Sequence, residues 1–309
     1  MTAVEDLQQY LTSRRSEIDA ALVAFLPSPP SCPSSVADAM RYSVTAGGKR
    51  LRPILCLASA EAVGGDRHMA MPAACALEFI HTYSLIHDDL PAMDNDTLRR
   101  GRPTLHVVAG EGMAILAGDG LLTEAFSLMA REPRGADPAW LARKVRVIGI
   151  VAAGAGAGGM VGGQAIDLAC VTPAADGSPP PPLDAGRLRA MHARKTGALI
   201  RASATAGAVM GGASDAQIDA IDRAAAELGL AFQIIDDVLD VEGASADLGK
   251  TAGKDAAAGK PTYPALYGLD VSKKMAADCL ERAASALQQV ELTDSRLLQI
   301  GRWIVERSN

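Results

Sequence analysis

The sequence predicts an all-α fold, built as one domain over residues 1–309. Apolar residues recur at three- and four-residue spacing in long segments, as they do on one face of a helix. Segments with the alternating pattern of a strand are absent from the sequence, and glycine and proline separate the helical segments. The chain is 49% hydrophobic and 21% charged, which is the balance of a globular protein with a sizeable core.

The helical segments follow one another between clear turn signals. The first, VEDLQQYLTSRRSEIDAALVAFL, ends at the prolines of residues 27–33. PAACALEFIHTYSLIHDD comes after a break at Gly64–Gly65, and SDAQIDAIDRAAAELGLAFQIIDDVLD begins at Ser214, a candidate N-cap. The longest interruption, residues 171–186, contains a proline run that cannot be helical. We interpret it as an exposed loop without an assigned role, because chemical motifs lie on both sides of it.

Charge and cysteine content narrow the class of protein. The net charge of −6 gives no support to nucleic acid as a partner, which would require a basic field. Five widely spaced cysteines without a CxxC pair indicate reduced thiols, and the N-terminus does not resemble a secretory signal, so we expect a cytoplasmic protein. The uncharged stretch Val147–Gly163 is dominated by Gly and Ala, which favours a buried helix over a membrane span.

The first of two acidic clusters reads HDDLPAMDNDTLRRGRP. It follows a long apolar helical segment, where carboxylates are costly unless they are paired or bind a metal. Asp88 and Asp94 are separated by about 240° on an ideal helix. They can converge only if the helix ends or bulges between them, and Pro91 supplies the reason.

The second acidic cluster reads FQIIDDVLD and contains Asp236, Asp237 and Asp240. On an ideal helix Asp236 and Asp240 lie about 40° apart and one turn along, so both carboxylates point the same way. Oxygen ligands of this kind suit Mg²⁺, which keeps several waters and prefers a site shared with substrate phosphates.

Basic residues are grouped near both clusters, and their pattern indicates a polyanionic ligand bridged by Mg²⁺. No P-loop motif, zinc signature or GxSxG elbow offers another route to catalysis. The basic groups are Lys49, Arg50 and Arg52; Arg99, Arg100 and Arg102; Arg194 and Lys195; and Lys250, Lys254 and Lys260.

These motifs resemble those of the trans-prenyltransferases, specifically the bacterial type of short-chain farnesyl or geranylgeranyl diphosphate synthase. The resemblance runs from about residue 36 to the C-terminus and keeps the order of the family's motifs. It implies an antiparallel helix bundle around a deep central cavity, usually in a homodimer. The motifs are GGKRLRP, IHTYSLIHDDLPAMDND…RRG, GGQAIDL, KTGALIRA and FQIIDDVLD…GK…GKPTYPAL.

The resemblance also implies roles for individual residues. Asp88 and Asp94 would bind two Mg²⁺ ions and Asp236 a third, all on an allylic diphosphate, with Asp89, Asp237 and Asp240 in support. Thr196 and Gln233 would stabilise an allylic cation. The allylic diphosphate would be held by Arg99, Lys195 and Lys250, with Lys260 a further substrate-binding candidate, and isopentenyl diphosphate by Lys49, Arg52, His81 and Arg100.

Two features bear on metal binding and on product length. The usual run of aspartates is interrupted by Asn95 and Thr97, which leaves the predicted metal ligands in place. The growing hydrocarbon tail would run along the helix that precedes Asp88. Helical geometry nominates Ser84 as the residue beneath Asp88, whereas the resemblance nominates Tyr83, a bulky aromatic typical of farnesyl-forming members.

Three alternatives remain open from the sequence. A geranylgeranyl product is the nearest to the farnesyl prediction. A class I terpene cyclase would normally line its pocket with aromatic rings, but aromatics are only 4% of this chain. A non-catalytic synthase subunit would be expected to lose metal ligands, and both aspartate motifs are intact.

Overall fold

The computed structural model of the 309-residue chain describes residues 3–170, 172, 178, 184–246 and 262–307. The Pro179–Pro182 run and the predicted substrate residues Lys250 and Lys260 lie outside the described residues, so those predictions remain untested. Over the described ranges the chain is almost entirely helical, and the all-α prediction is confirmed.

The helices follow the chain with short connections, and a short antiparallel ribbon pairs Leu98 with Pro103 and Arg99 with Arg102. A π-helical turn, Ala193–Gly197, separates α9 from α10. The elements are α1 (Ala3–Phe25), α2 (Ser34–Val44), α3 (Leu51–Ala62), α4 (Arg67–Asp88), β1 (Leu98–Arg99), β2 (Arg102–Pro103), α5 (Leu105–Ala109), α6 (Glu111–Arg131), α7 (Pro138–Ala155), α8 (Met160–Ala169), α9 (Ala185–His192), α10 (Ala198–Gly211), α11 (Asp215–Ala246), α12 (Tyr263–Tyr267), α13 (Leu269–Gln288) and α14 (Arg296–Glu306).

The chain forms two compact units. Unit 1 comprises Met1–Gly149 and Ala206–Gly212, and unit 2 comprises Ile150–Thr205 and Ala213–Asn309. In unit 1, α4 packs between α3 and α6; in unit 2, α11 packs along α13 and α14. Each unit contains one of the two acidic clusters. The assignment of residues 1–309 to a single domain stays a prediction.

Helix α4 shows how the sequence builds the core of unit 1. The carboxylate of Asp66 accepts a hydrogen bond of 2.9 Å from the backbone N–H of His68, which caps one free donor at the start of the helix. Most of the following residues are buried, among them Phe79 and Ile80 at 0% exposure. The helix ends at Asp88, so burial of its apolar length places the first acidic cluster at a fixed point.

Small residues allow close backbone approaches inside each unit. In unit 1, a Cβ added to Gly207 would lie 1.9 Å from the carbonyl oxygen of Cys56 on α3. In unit 2, a Cβ added to Gly154 would lie 2.8 Å from the Cβ of Ala202. Gly154 belongs to the uncharged Gly/Ala stretch, so that stretch packs closely against a neighbouring helix.

Within the part of the chain that the structure describes, three helical stretches are long and apolar enough to cross a membrane, judged by length and composition alone. They are Arg67–Asp88, Glu111–Arg131 and Pro138–Ala169. The first is mostly buried within the protein, whereas much of the other two is exposed.

The Gly207 contact gives a test of the packing in unit 1. Gly207→Ala should lower the free energy of unfolding by about 1–3 kcal/mol, because the added methyl group overlaps a backbone carbonyl that cannot rotate away. Gly149→Ala is the matched control, since nothing lies within 4 Å of its added Cβ; it should stabilise α7 by up to about 1 kcal/mol. Urea unfolding of both variants measures the difference. Equal stability of the two would contradict the packing.

Candidate active site

The first acidic cluster is shaped by a chain reversal at the end of α4. The N–H of Asp94 donates a hydrogen bond of 2.9 Å to the C=O of Asp88, and the N–H of Asn95 donates one of 3.1 Å to the C=O of Leu90. The helix ends at Asp88 and the backbone of Asp94 returns to it, while the convergence of the two carboxylates stays a prediction. Asn95 has φ of +52°, a region that Asn tolerates better than most residues, so the departure at this position suits the turn.

Asp89, the residue that follows α4, is buried and pairs with Arg99. Asp89 is 4% exposed, and its Oδ1 accepts from Nε of Arg99 at 2.8 Å and lies 2.7 Å from Nη2. Burial raises the pKa of Asp89 above its ordinary value, and the guanidinium opposes that shift. The ion pair fixes the orientation of Arg99, whose predicted contact with an allylic diphosphate stays a prediction.

The glycines of GGKRLRP make room for Arg100. Its Nη1 donates to the carbonyl oxygen of Gly47, and a Cβ added to Gly48 would lie 2.7 Å from the same nitrogen. Gly48 has φ of +140°, which a side chain would also disfavour. The glycine pair therefore provides a backbone surface against which the guanidinium lies flat.

Arg52 and Arg100 both lie within electrostatic reach of His81 in unit 1. Burial, followed by the charges of Arg52 and Arg100, lowers the pKa of His81 well below its ordinary value. A neutral imidazole among guanidinium groups can donate a hydrogen bond to an anion without adding to the positive charge. The structure therefore brings together three of the four residues predicted to hold isopentenyl diphosphate; the fourth, Lys49, is exposed.

Arg50 has a structural role instead. Its side chain is 4% exposed and forms ion pairs of 2.8 Å with Glu78 and with Asp19. It also donates a hydrogen bond of 2.7 Å to the carbonyl oxygen of Val44. These contacts connect α1, α2 and α4, so loss of Arg50 would remove the ion pair of the buried Glu78 carboxylate.

In unit 2, the second acidic cluster lies on α11. Asp237 is buried, and its Oδ2 accepts a 3.0 Å hydrogen bond from the N–H of Tyr263 at the start of α12. Asp236 is more exposed and accepts a hydrogen bond from Nη2 of Arg307. Asp236 and Asp240 are one turn apart on a continuous helix, as the spacing predicted.

Lys195 and Thr196 lie on the π-helical turn, an irregularity that is frequent at functional sites. Nζ of Lys195 is 2.5 Å from Oδ2 of Asp167, which is 6% exposed. A Cβ added to Gly163 would lie 2.1 Å from the backbone nitrogen of Lys195, so only glycine permits this approach. Gln233, predicted with Thr196 to stabilise the allylic cation, is partly buried on α11.

Sequence reasoning missed Asp167 and Arg307 as site residues. Asp167 belongs to the quoted motif GGQAIDL, but its partner Lys195 is 28 residues away in the chain. Arg307 is 71 residues from Asp236 and belongs to none of the basic groups identified in the sequence. Only the tertiary fold reveals these two contacts.

The carboxylates fit a cation that is shared with a substrate. Among the described residues, no group of three His, Cys, Asp or Glu side chains is placed to hold a metal ion alone. The predicted ligands Asp88, Asp94 and Asp236 are nevertheless all carboxylates that reach solvent. Mg²⁺ commonly uses one or two carboxylates together with water and substrate phosphates, so the donor set suits it.

Buried His192 gives unit 2 a pH dependence that can be measured. His192 is 8% exposed, and burial lowers its pKa to about 4 from 6.5, with the charge of Lys195 adding to the effect and that of Asp167 opposing it. The unfolded chain therefore takes up a proton that the folded chain resists. The corresponding stability is complete above pH 6.5 and is lost as the pH falls toward 4, about 3 kcal/mol in all.

His192→Gln should remove that part of the pH dependence from urea unfolding measured between pH 4 and pH 7. His68→Gln is the matched control, because the side chain of His68 is 65% exposed. A pH profile of His192→Gln parallel to that of the parent protein would show that the imidazole is not held neutral by its surroundings.

Comparison with known proteins identifies the family. The polyprenyl synthetase family matches residues 33–295. A dimethylallyltranstransferase of Fischerella ambigua is 46% identical over 99% of this chain and 85% of its own, and a geranylgeranyl diphosphate synthase of Cyanophora paradoxa is 45% identical over 98% and 97%. The crystal structure of an FPP/GFPP synthase from Zymomonas mobilis aligns with a TM-score of 0.82 and 36% identity, covering 97% of this chain and 99% of that one. The chain therefore belongs to the polyprenyl synthetase family and is a trans-prenyltransferase.

Proposed function

We propose that the protein condenses an allylic diphosphate, dimethylallyl or geranyl, with isopentenyl diphosphate in a magnesium-dependent reaction that releases pyrophosphate. We further propose farnesyl diphosphate as the main product. The observation that carries the proposal is the return of Asp94 to Asp88 at the end of α4, beside an arginine that Asp89 holds in place. Carboxylates and an oriented guanidinium together match a metal-bound diphosphate.

The reaction breaks the C–O bond of the allylic substrate, and the electron pair leaves with pyrophosphate. The double bond of isopentenyl diphosphate attacks the allylic carbon, and the released pyrophosphate takes the proton that the new cation loses. By resemblance, Asp88, Asp94 and Asp236 would hold Mg²⁺ ions, which would supply charge stabilisation to the leaving group. Family resemblance gives the count of three ions per active site.

The protein's own side chains then have separate tasks. Arg99, oriented by Asp89, and Lys195, oriented by Asp167, donate to the allylic diphosphate. Arg52, Arg100 and neutral His81 bind the isopentenyl diphosphate, with exposed Lys49 at its edge. By resemblance, Thr196 and Gln233 would stabilise the allylic cation. Because the pairs Asp89–Arg99 and Asp167–Lys195 already fix the cationic groups, little ordering is left for the moment of binding.

Product length is assigned from the residues that precede Asp88. Tyr83 is 8% exposed, and its bulk fills the interior on one face of α4. Ser84 donates its hydroxyl hydrogen to the carbonyl oxygen of His81 at 2.8 Å, within its own helix. The burial of Tyr83 and the local hydrogen bond of Ser84 favour Tyr83 as the residue that closes the path of the growing chain.

Geranylgeranyl diphosphate is the second candidate product. Several relatives that cover most of this chain are named geranylgeranyl diphosphate synthases, from Cyanophora paradoxa, Capsicum annuum and Catharanthus roseus. The similar solved structures are titled FPP/GFPP synthase and putative farnesyl-diphosphate synthase. Relatives and similar structures are therefore named for both products, and Tyr83 is the feature of this chain that favours the shorter one. The cyclase and non-catalytic subunit alternatives have no comparable observation in their favour.

We also propose that the protein is a homodimer located in the cytoplasm. The five cysteines are free, as in a reducing compartment. In unit 1 a set of large apolar side chains is exposed, and a second copy would cover them. These residues are Leu98, Val107, Val108, Ile115, Leu116, Leu141 and Val145.

The metal assignment can be tested with near-isosteric variants. Asp88→Asn and Asp236→Asn should each lower product formation by about 10²-fold or more, because each removes a charged metal ligand and little volume. Asp38→Asn, an exposed aspartate of α2, is the matched control and should keep full activity. Circular dichroism checks that each variant is folded. Full product formation in excess EDTA would contradict the mechanism.

Tyr83→Ala tests the assignment of product length. Removing the ring should admit at least one more isoprene unit and shift the products from farnesyl toward geranylgeranyl diphosphate. Ser84→Ala should leave the distribution unchanged, because the hydroxyl it removes is bonded within α4. Chromatography of the dephosphorylated products measures chain length. An active Tyr83→Ala variant with the parent distribution would show that Tyr83 does not close the path.

A further inference from the structure

We infer that product length is set by a stack of three residues on two helices, Tyr83, His87 and Gly118, and that His87 and Gly118 are positioning residues for Tyr83. The inference rests on the proposed function, since it concerns how far the same site lets a prenyl chain grow. It adds that contacts with α6 position the ring that closes the path, so residues of α4 alone do not set the product length.

The first contact of the stack lies on α4. The ring centroids of Tyr83 and His87 are 5.6 Å apart with an interplanar angle of 83°, an edge-to-face arrangement that aromatic rings favour. Tyr83 is buried, whereas the side chain of His87 is 27% exposed. His87 therefore packs against the phenol ring from the next turn of α4 and limits the rotation of Tyr83 on that side.

The second contact holds His87 against α6. A Cβ added to Gly118 would lie 2.2 Å from Nε2 and 2.5 Å from Cδ2 of His87, so the imidazole occupies the space that any side chain would need. The ring nitrogen Nε2 is also 3.2 Å from the carbonyl oxygen of Ile115, to which it can donate. Backbone atoms of α6 thus fix the imidazole on one edge, while Tyr83 lies at another.

Gly118 has no backbone reason to be glycine. It lies within α6, outside the set of glycines with positive φ, and glycine in a helix interior costs about 1 kcal/mol relative to alanine. The imidazole of His87 explains the glycine, because any side chain at residue 118 would overlap the ring. The stack that positions Tyr83 therefore accounts for the glycine at position 118.

The stack predicts a defined pattern in a double-mutant cycle. His87→Ala should free Tyr83 to rotate and raise the ratio of geranylgeranyl to farnesyl product by about two- to tenfold, the factor that corresponds to one aromatic pair. In a Tyr83→Ala background the same change should have no further effect on the ratio, because the ring that His87 positions is gone. Additive effects of the two substitutions would overturn the positioning role.

Gly118→Ala tests the stack from the other helix and does not depend on the stability of His87→Ala. The added methyl group should push the imidazole toward Tyr83 and lower the share of the longer product. Gly112→Ala is the matched control on α6, because nothing lies within 4 Å of its added Cβ; it should keep the parent distribution.

The total amount of prenyl product formed distinguishes failure of the stack from failure of the proposed function. If the parent protein forms prenyl products and both His87→Ala and Gly118→Ala give the parent ratio, the stack is wrong while the proposed function stands. If the parent protein fails to condense the two diphosphates in the presence of Mg²⁺, the proposed function itself is wrong.

Discussion

The return of the chain at the end of α4 is the constraint on which the site in unit 1 depends. Aspartates that follow a buried helix repel one another and are costly to desolvate. Ending α4 at Asp88 moves them out of the core, and the hydrogen bond from Asp94 to Asp88 brings two of them to the same place. The third, Asp89, remains buried and is compensated by Arg99. One turn therefore both exposes carboxylates for a cation and orients a guanidinium for the anion that would accompany it.

The same arrangement recurs in unit 2 with different residues. Lys195 is held by Asp167, Asp237 by the N–H of Tyr263, and Asp236 by Arg307. Arg307 also lies over the ring of Phe232, with Cζ 4.2 Å from the centroid, and donates to the carbonyl oxygen of the same residue at 3.2 Å. Charged groups that would act on substrate are thus already paired with the protein. Such pairing lowers the cost of keeping them partly desolvated before a ligand arrives.

Local pattern was enough to predict the helices, the turn at Pro91 and the two aspartate motifs, because each depends on residues a few positions apart. The ribbon of β1 and β2 was not predicted, because a two-residue strand is too short to show an alternating apolar pattern. The π-helical turn at Lys195, the pairing of Asp167 and the contact of His87 with Gly118 depend on residues 28 to 31 positions apart that only tertiary packing brings together. Arg307 illustrates the limit best, because its partner Asp236 is 71 residues away. The side chains of residues such as Lys250 and Lys260 lie outside the described part of the chain, so their roles rest on resemblance alone.

The central claim is that this chain joins five-carbon units by releasing pyrophosphate at a magnesium-dependent site. Its most direct measurement is the stoichiometry of the isolated protein with dimethylallyl and isopentenyl diphosphates, following pyrophosphate and prenyl products together. The account predicts one pyrophosphate for each isopentenyl unit added, a main product of fifteen carbons, and loss of both signals when EDTA removes the metal. Pyrophosphate release without chain growth, or chain growth that persists in EDTA, would contradict it.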